Sequence, residues 1–350
     1  MAKLPPKNGE IRKKIQNTLL VDGNALFKTA FNGAKNCYND QGRHIGGIYQ
    51  FMTTLRMLLT EDTYHRVYVF WDGNFSGLLR YQIYEDYKKD RGKDFINGTQ
   101  PSDPSELSQR KIVWDYLNEM YIRQLKHPII EGDDFIAYYC LHKKSNEKIT
   151  ICTNDRDMAQ LVTENVRIYF LDLKKYVDNS NFSSYFCYIK NNARLVKTIC
   201  GDDSDSIKGI KGIKEKTLLN HFPEIGERTV TIDEVIASAQ NQLTERQTKK
   251  KPPLKVLENI INRTTEGVQG KKIFEINHKL VDLSSPMMTQ DGIRDLRELI
   301  DGTLDDGGRD LKRVLEYMKR DGMDKVIGEH RYPDYLIPFK ELIQREQIQF

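Results

Sequence analysis

The sequence predicts an α/β fold, a parallel β-sheet with helices on both faces, followed by a helical C-terminal region. Three observations carry this expectation. From Thr18 to Asp172, short β-branched or aromatic runs alternate with amphipathic stretches such as Ile48–Leu59 and Phe135–His142, the pattern of βαβ units. The runs are nearly continuous in apolar residues, as strands buried on both faces are. Four of them end on or lead to an acid: Thr18–Val21 to Asp22, Val67–Trp71 to Asp72, Pro128–Ile130 to Glu131, and Ile149–Cys152 to Asp155. Parallel strands would gather those acids along one sheet edge, where open α/β sheets bind ligands.

The chain has 350 residues, 39% of them hydrophobic, enough for one large core or two modest ones. Its 54 Lys and Arg against 50 Asp and Glu leave a net charge of only +4, but the signs are segregated. Acids bunch at strand ends, while bases collect in Tyr87–Lys93, Lys208–Lys216 and Lys249–Lys255. Basic surface around an acidic pocket suits a polyanionic substrate; any single basic run could equally be a solvated face. Five scattered cysteines form no CxxC pair, which argues against structural zinc and disulfides and for a reducing, cytoplasmic setting. The N-terminus lacks an apolar signal segment, and no apolar stretch is long enough to span a bilayer.

In order along the chain, residues 1–16 read as a basic arm and 17–200 as the α/β unit. Between the second and third runs, 74–126 is too long for an ordinary crossover. It carries Arg80, Tyr81, Tyr84, Tyr87, Lys88, Lys89, Arg91 and Lys93, then a Gly/Pro/Ser-containing crown over Gly98–Ser105 and a helical stretch from Glu106 to Gln124. Two helices joined by a flexible crown are expected to stand over the strand ends. The tyrosines are open to two readings, stacking on bases or packing in a core. Residues 201–285 begin with a Gly/Lys-rich hairpin, and 286–350 form a C-terminal helical region.

The acids carry the chemistry. Asp22-Gly23 and Asp72-Gly73 are each also compatible with ordinary turns. In Glu131-Gly132-Asp133-Asp134, capping of the following helix can account for Asp134, less easily for Glu131. Asp155 and Asp157 are spaced by one residue past a strand, and Asp202 and Asp205 lie three apart, on one face of a helical turn. Carboxylates ~4 Å apart repel by ~4 kcal/mol per pair at an effective dielectric near 20, so a group this dense calls for cations. Hard oxygen donors without His or Cys favour Mg²⁺ or Mn²⁺ over Zn²⁺. The glycines Gly209 and Gly212 let backbone N–H groups approach phosphates, with Lys208, Lys211, Lys214 and Lys216 adding charge; an amphipathic connector is the alternative.

Together these residues resemble the structure-specific 5′ nucleases, the flap endonuclease and 5′→3′ exonuclease family, with phage enzymes of the ribonuclease H type nearest. The resemblance covers roughly 17–285 and rests on VDGN (21–24), FWDG (70–73), RYQIYEDYKKDRGK (80–93), EGDD (131–134), TNDRDMAQL (153–161), GDDSDSIKGIKGIKEKT (201–217) and NHKLVDL (277–283). It implies a PIN-like sheet with a helical arch insertion and a helix–turn–helix DNA clamp. It also implies two Mg²⁺ or Mn²⁺ ions, one held by Asp22, Asp72, Glu131 and Asp133 and the other by Asp155, Asp157, Asp202 and Asp205, with Asp134 behind them. Arg80, Lys88 and Arg91 would stand near the scissile phosphate, Tyr84 and Tyr87 along the single strand, and a K⁺ at the turn. The implied partners are DNA and RNA–DNA hybrids with free 5′ ends during phage replication, and a single-strand-binding protein or sliding clamp at 286–350, the chain acting as a monomer. The rivals are a PIN-type single-strand ribonuclease and a non-catalytic binder of DNA structures.

Overall fold

The computed structural model describes residues 16–95, 97–98, 103–302 and 309–347. One sheet of six strands organises it: β1 Gln16–Asp22, β2 Arg66–Asp72, β3 Arg123–His127, β4 Glu147–Thr153, β5 Val166–Phe170 and β6 Lys175–Val177, in the order β3-β2-β1-β4-β5-β6. The first five are parallel and β6 runs antiparallel to β5. Alternation along β1 shows why both faces are covered. Leu19 and Val21 point into one core and Leu20 into the other, all fully buried.

Helices α1 Gly23–Gly33, α2 Gly46–Glu61, α3 Leu78–Ile83, α4 Pro104–Glu119, α5 Gly132–His142 and α6 Ala193–Cys200 accompany the sheet. Leu26, Phe27, Phe51 and Leu55 of α1 and α2 pack on the Leu19–Val21 side. Phe135, Ile136 and Tyr139 of α5, with Val196 and Ile199 of α6, cover the other.

Two expectations need correcting. The third strand is Arg123–His127, upstream of the apolar run Pro128–Ile130. Proline has no N–H for a ladder, whereas a polar strand is tolerated at a sheet edge, and β3 pairs only with β2. Ile130 instead runs past the strand into the core. The helix expected over Glu106–Gln124 is α4, which ends at Glu119; Tyr121, at φ 58°, then turns the chain into β3. Nor does α4 stand free as half of an arch. Val113, Tyr116 and Leu117, spaced for one helical face, are buried against the α1–α2 layer. The crown residues 99–102 and most of the arm, 1–15, lie outside the described residues.

Beyond α6, a two-stranded ribbon pairs β7 Gly201–Asp202 with β8 Ile207–Lys208. Then come α7 Glu215–His221, α8 Ile232–Thr248, α9 Lys255–Ile261, α10 Ile273–Val281, α11 Gln290–Asp301, α12 Leu311–Arg320, α13 Asp324–Ile327 and α14 Tyr332–Gln347. The divisions drawn at 200/201 and 285/286 do not separate cores. Leu218, Val235, Leu257 and Leu296 share a cluster with Ile136 and Ile151, while Val314 and Phe339 share the other with Phe51 and Val113. No helix among the described residues is long and apolar enough to cross a membrane.

Candidate active site

The carboxyl ends of β1, β2 and β4 each place an aspartate at the mouth of one cleft. Asp22 caps α1, taking the Ala25 N–H at 2.9 Å on one oxygen and the Thr153 hydroxyl at 2.9 Å on the other. Asp72 accepts the Gly132 N–H at 2.9 Å, which ties β2 to the start of α5. Asp155 caps the 3₁₀ turn that follows β4, accepting the Asp157 N–H at 2.7 Å. Asp133 enters from the first turn of α5, and Asp202 and Asp205 from the turn that joins β7 to β8. These six aspartates line a cleft of about 810 Å³ together with Lys88, Arg91 and Lys197.

Burial first, then neighbouring aspartates, raise three of them and Asp157 beneath. Burial, then the charges of Asp72 and Asp155, push Asp22 up to about 6, against the Ala25 and Thr153 donors. Burial and the facing Asp155, Asp22 and Asp72 raise Asp133 well above the carboxylate range. Asp155 is raised by burial and by Asp205 and Asp202. Asp157 lies beneath the cleft, pushed to about 7 by burial and Asp155 although the Lys197 ammonium is 2.5 Å away.

Lys197 is the residue that sequence reasoning missed. It joins Asp157 to Asp202, at 2.7 Å from the latter, and despite burial holds Asp202 at about 2 with help from the Ser204 donors. Its only sequence signal is a lysine on the last turn of a helix that runs into an acidic turn. The opposite wall was missed as well: Arg110 of α4 donates to Asn24 at 2.9 Å and pairs with Glu106 at 2.8 Å.

A second group of the expected residues stands behind the cleft rather than in it. Glu131 is 3% exposed, and its oxygens accept from Lys88, from Arg80 at 2.7 Å and from the Tyr87 hydroxyl at 3.1 and 3.0 Å. Despite burial, Lys88 and Arg80 hold it at about 2. Arg80, expected beside a phosphate, is 5% exposed and clasps Asp134 at 2.5 and 2.9 Å while donating to the Leu280 carbonyl at 2.9 Å. A guanidinium so enclosed does not reach the cleft. Asp134 does not cap α5; its carboxylate takes Arg80 and the Met287 N–H at 2.9 Å. Tyr84 and Tyr87, each 2% exposed, pack with Phe95, Ile207, Leu280 and Val281, so the core reading holds and base stacking is not open to these rings. Lys88 and Arg91 do reach the cleft. Lys88 has φ 55° and its N–H donates to the Asp205 carbonyl at 2.8 Å, while Arg91 pairs with Asp205 at 2.6 Å.

The Gly/Lys segment is a ribbon and turn between α6 and α7. Gly209 is required by packing, because a Cβ there would collide with the Cys200 carbonyl, whereas at Gly212 a Cβ would only touch Val256 Cγ2 at 3.9 Å and the φ of 77° is what favours glycine. Lys208, Lys211, Lys214 and Lys216 are exposed. Three carbonyls of this segment accept side-chain donors: Lys208 O from Gln269 and Asn277, Gly209 O from Thr265, and Lys211 O from Asn259.

As the side chains stand, no three His, Cys, Asp or Glu groups among the described residues converge to hold an ion. The donor chemistry nevertheless fits a hard divalent cation, since the six aspartates of the cleft offer only oxygen and their mutual repulsion helps to raise Asp22, Asp133 and Asp155.

The fold is the PIN-like fold of the flap nucleases. It superposes on T5 5′-exonuclease with bound divalent metal ions (zinc) with a TM-score of 0.59 at 17% identity, over 87% of this chain and 98% of that one. On the bacteriophage T5 flap endonuclease in a pseudo-enzyme–product complex with DNA and metal ions the TM-score is 0.58 at 16% identity, over 95% and 100%. Residues 17–186, just under half of the chain, match the 5′-3′ exonuclease N-terminal, resolvase-like domain. A 5′-3′ exonuclease of Buchnera aphidicola is 27% identical over 212 residues, 60% of this chain and 67% of its own length. The thermostable DNA polymerase I of Thermus thermophilus is 31% identical over 212 residues, 59% of this chain but only 24% of the polymerase. The chain thus spans about a quarter of the length of the polymerases it matches.

Proposed function

We propose that the chain is a divalent-metal-dependent 5′→3′ exonuclease and flap endonuclease. The observation that carries this is the cleft of six mutually crowded aspartates at the carboxyl edge of the sheet. Asp22, Asp72 and Asp133 would hold one Mg²⁺ or Mn²⁺, and Asp155, Asp202 and Asp205 a second with Asp157 behind them. Glu131, given to the first ion by the family resemblance, would have to release Lys88 to take part. The ions, when bound, supply Lewis-acid polarisation of the phosphate and acidify the attacking water. The chain's own residues do the rest. Lys88 and Arg91 bring positive charge to the side of the cleft where negative charge develops in the transition state. Arg80 and Asp134 act through Glu131 and so position rather than react. The 208–216 turn would grip duplex DNA through backbone N–H groups and lysines. A K⁺ at this turn, implied by the family resemblance, would be held by backbone carbonyls.

The substrates would be RNA primers on DNA, nicked duplexes and 5′ flaps, processed during phage replication in the host cytoplasm in the manner of a T-even ribonuclease H. The chain would work as a monomer, with 286–350 open to a single-strand-binding protein or sliding clamp. Asp155→Asn and Asp202→Asn, assayed on a 5′-labelled flap with Mg²⁺, are expected to lose roughly 100-fold or more in turnover, the scale for removing one preorganised electrostatic element. Wild-type cleavage by both variants would overturn the metal assignment. Lys88→Ala is expected to lose turnover with duplex binding kept; loss of binding alone would reduce Lys88 to a DNA contact. Cleavage confined to single-stranded RNA would favour the PIN-type ribonuclease reading.

A further inference from the structure

The basic run Lys249–Lys255 takes no part in the cleft or the turn. From Arg246 to Leu257 the chain carries five cations and no acid. The linker is ordered. The Lys250 N–H donates to Gln247 O at 2.9 Å, the Lys251 N–H to Arg246 O at 2.8 Å, and Arg246 Nε to Pro252 O at 2.9 Å. Lys249, Lys250, Lys251 and Lys255 are exposed.

Contacts along α9 fix this run beside the 208–216 turn. Asn259 Nδ2 donates to Lys211 O at 2.9 Å, and the Lys211 N–H donates to Thr264 O at 2.8 Å. Val256 Cγ2 lies 3.9 Å from where a Cβ on Gly212 would stand. Lys255, the first residue of α9, therefore neighbours the tip of the turn, and Lys249–Lys251 continue the surface away from it. Part of the turn's own charge is already answered, Lys211 by Glu266 at 2.8 Å and Lys214 by Asp203 at 2.6 Å. On the flank, Lys250, Lys251 and Lys255 have no ion pair among the described residues, and Lys249 meets only an exposed Glu245 at 3.5 Å. Cations at the end of α8 complement its dipole, which accounts for Lys249 and Lys250. Lys251 and Lys255 lie beyond the last turn, where that effect has faded.

We propose that Lys249–Lys255 is a second duplex-binding surface, a phosphate-contacting flank that extends the grip of the turn past the N-terminus of α9. The inference rests on the reading of the turn as a duplex clamp. Its ligand is double-stranded nucleic acid, held by its backbone and without regard to sequence. Of the four lysines only Lys255 stands in α9, and Lys249–Lys251 precede that helix, so the run carries the basic surface beyond the turn. The flank therefore lengthens the duplex footprint and leaves the chemistry at the cleft alone.

The test uses the full chain with Lys249, Lys250, Lys251 and Lys255 all changed to Gln, and fluorescence anisotropy on labelled flap substrates. Their duplex arms would be about 6 and about 20 base pairs long, and salt would be varied between roughly 50 and 200 mM. On the long arm affinity should fall about 10-fold, and the slope of log affinity against log salt should weaken by about 2 to 3, at ~0.9 for each phosphate that is no longer neutralised. On the short arm the variant should stay within about twofold of wild type. Wild-type affinity and slope on the long arm, or an equal loss on both arms, would overturn the flank and leave the clamp standing. A wild-type chain that binds the long arm no better than a single strand would remove the clamp and the flank together.

Discussion

Two groups of acids at neighbouring positions on the same sheet edge differ in the partners that surround them. Glu131 and Asp134 are enclosed, and Arg80, Lys88 and Tyr87 donate to their oxygens; Lys88 and Arg80 hold Glu131 at about 2, while burial raises Asp134 despite Arg80. Asp22, Asp133 and Asp155 face a cleft, and each is pushed up by burial and by other aspartates. One residue of helix, Asp133 to Asp134, separates the two conditions, because successive α5 side chains point about 100° apart. The comparison teaches that a carboxylate at a strand end is not a ligand by virtue of its position. The matched group fastens α3, α5 and α10 into a rigid rear wall, and the unmatched group is what a cation would relieve.

The largest expected effect tests the matched side. Arg80→Met strands two carboxylates in the interior and should cost about 3–5 kcal/mol in urea or thermal unfolding. A cost under about 1 kcal/mol would mean that the network does not hold the wall. The next effect tests the open side. Mg²⁺ at about 100 times its dissociation constant should stabilise the chain by about 2.7 kcal/mol relative to chelator. Asp155→Asn should abolish that shift in calorimetry, and in chelator it should melt no lower than wild type, since it removes a repelling charge. A variant that keeps the full shift would move the ion elsewhere. The smallest effect returns to the rear wall: Tyr87→Phe leaves the ring in place but removes the donor to Glu131 and Asp205, for a loss of about 1–2 kcal/mol with flap affinity unchanged. Weaker flap binding with unchanged stability would restore this tyrosine to the DNA path.

Much of the sheet was legible in the chain because buried parallel strands write themselves as apolar runs. β1, β2, β4 and β5 fall where TLLVD, RVYVFWD, KITICTND and VRIYFLD stand. β3 was misplaced because an edge strand needs no apolar run, and its sequence, RQLKH, has one apolar residue. The insertion misled for a related reason. Bases and tyrosines between two strands resemble a solvent-facing arm, yet Tyr84 and Tyr87 close a small core with Leu280 and Val281, nearly two hundred residues on. Lys197 escaped notice since a lone lysine on an amphipathic helix carries no local signal of the two aspartates it bridges.

By itself the sequence determined the parallel α/β architecture, the strand ends that carry acids and the oxygen-only character of the donor set. Those follow from periodicity and residue chemistry, which are local. Only the tertiary structure decided which acids remain open, because that depends on cations brought from elsewhere in the chain. Arg80 and Lys88 reach Glu131 from about fifty and forty residues away, while Lys197 reaches Asp157 across forty. Charge matching in a low-dielectric interior is a matter of a few ångströms in space, and spacing along the chain does not record it.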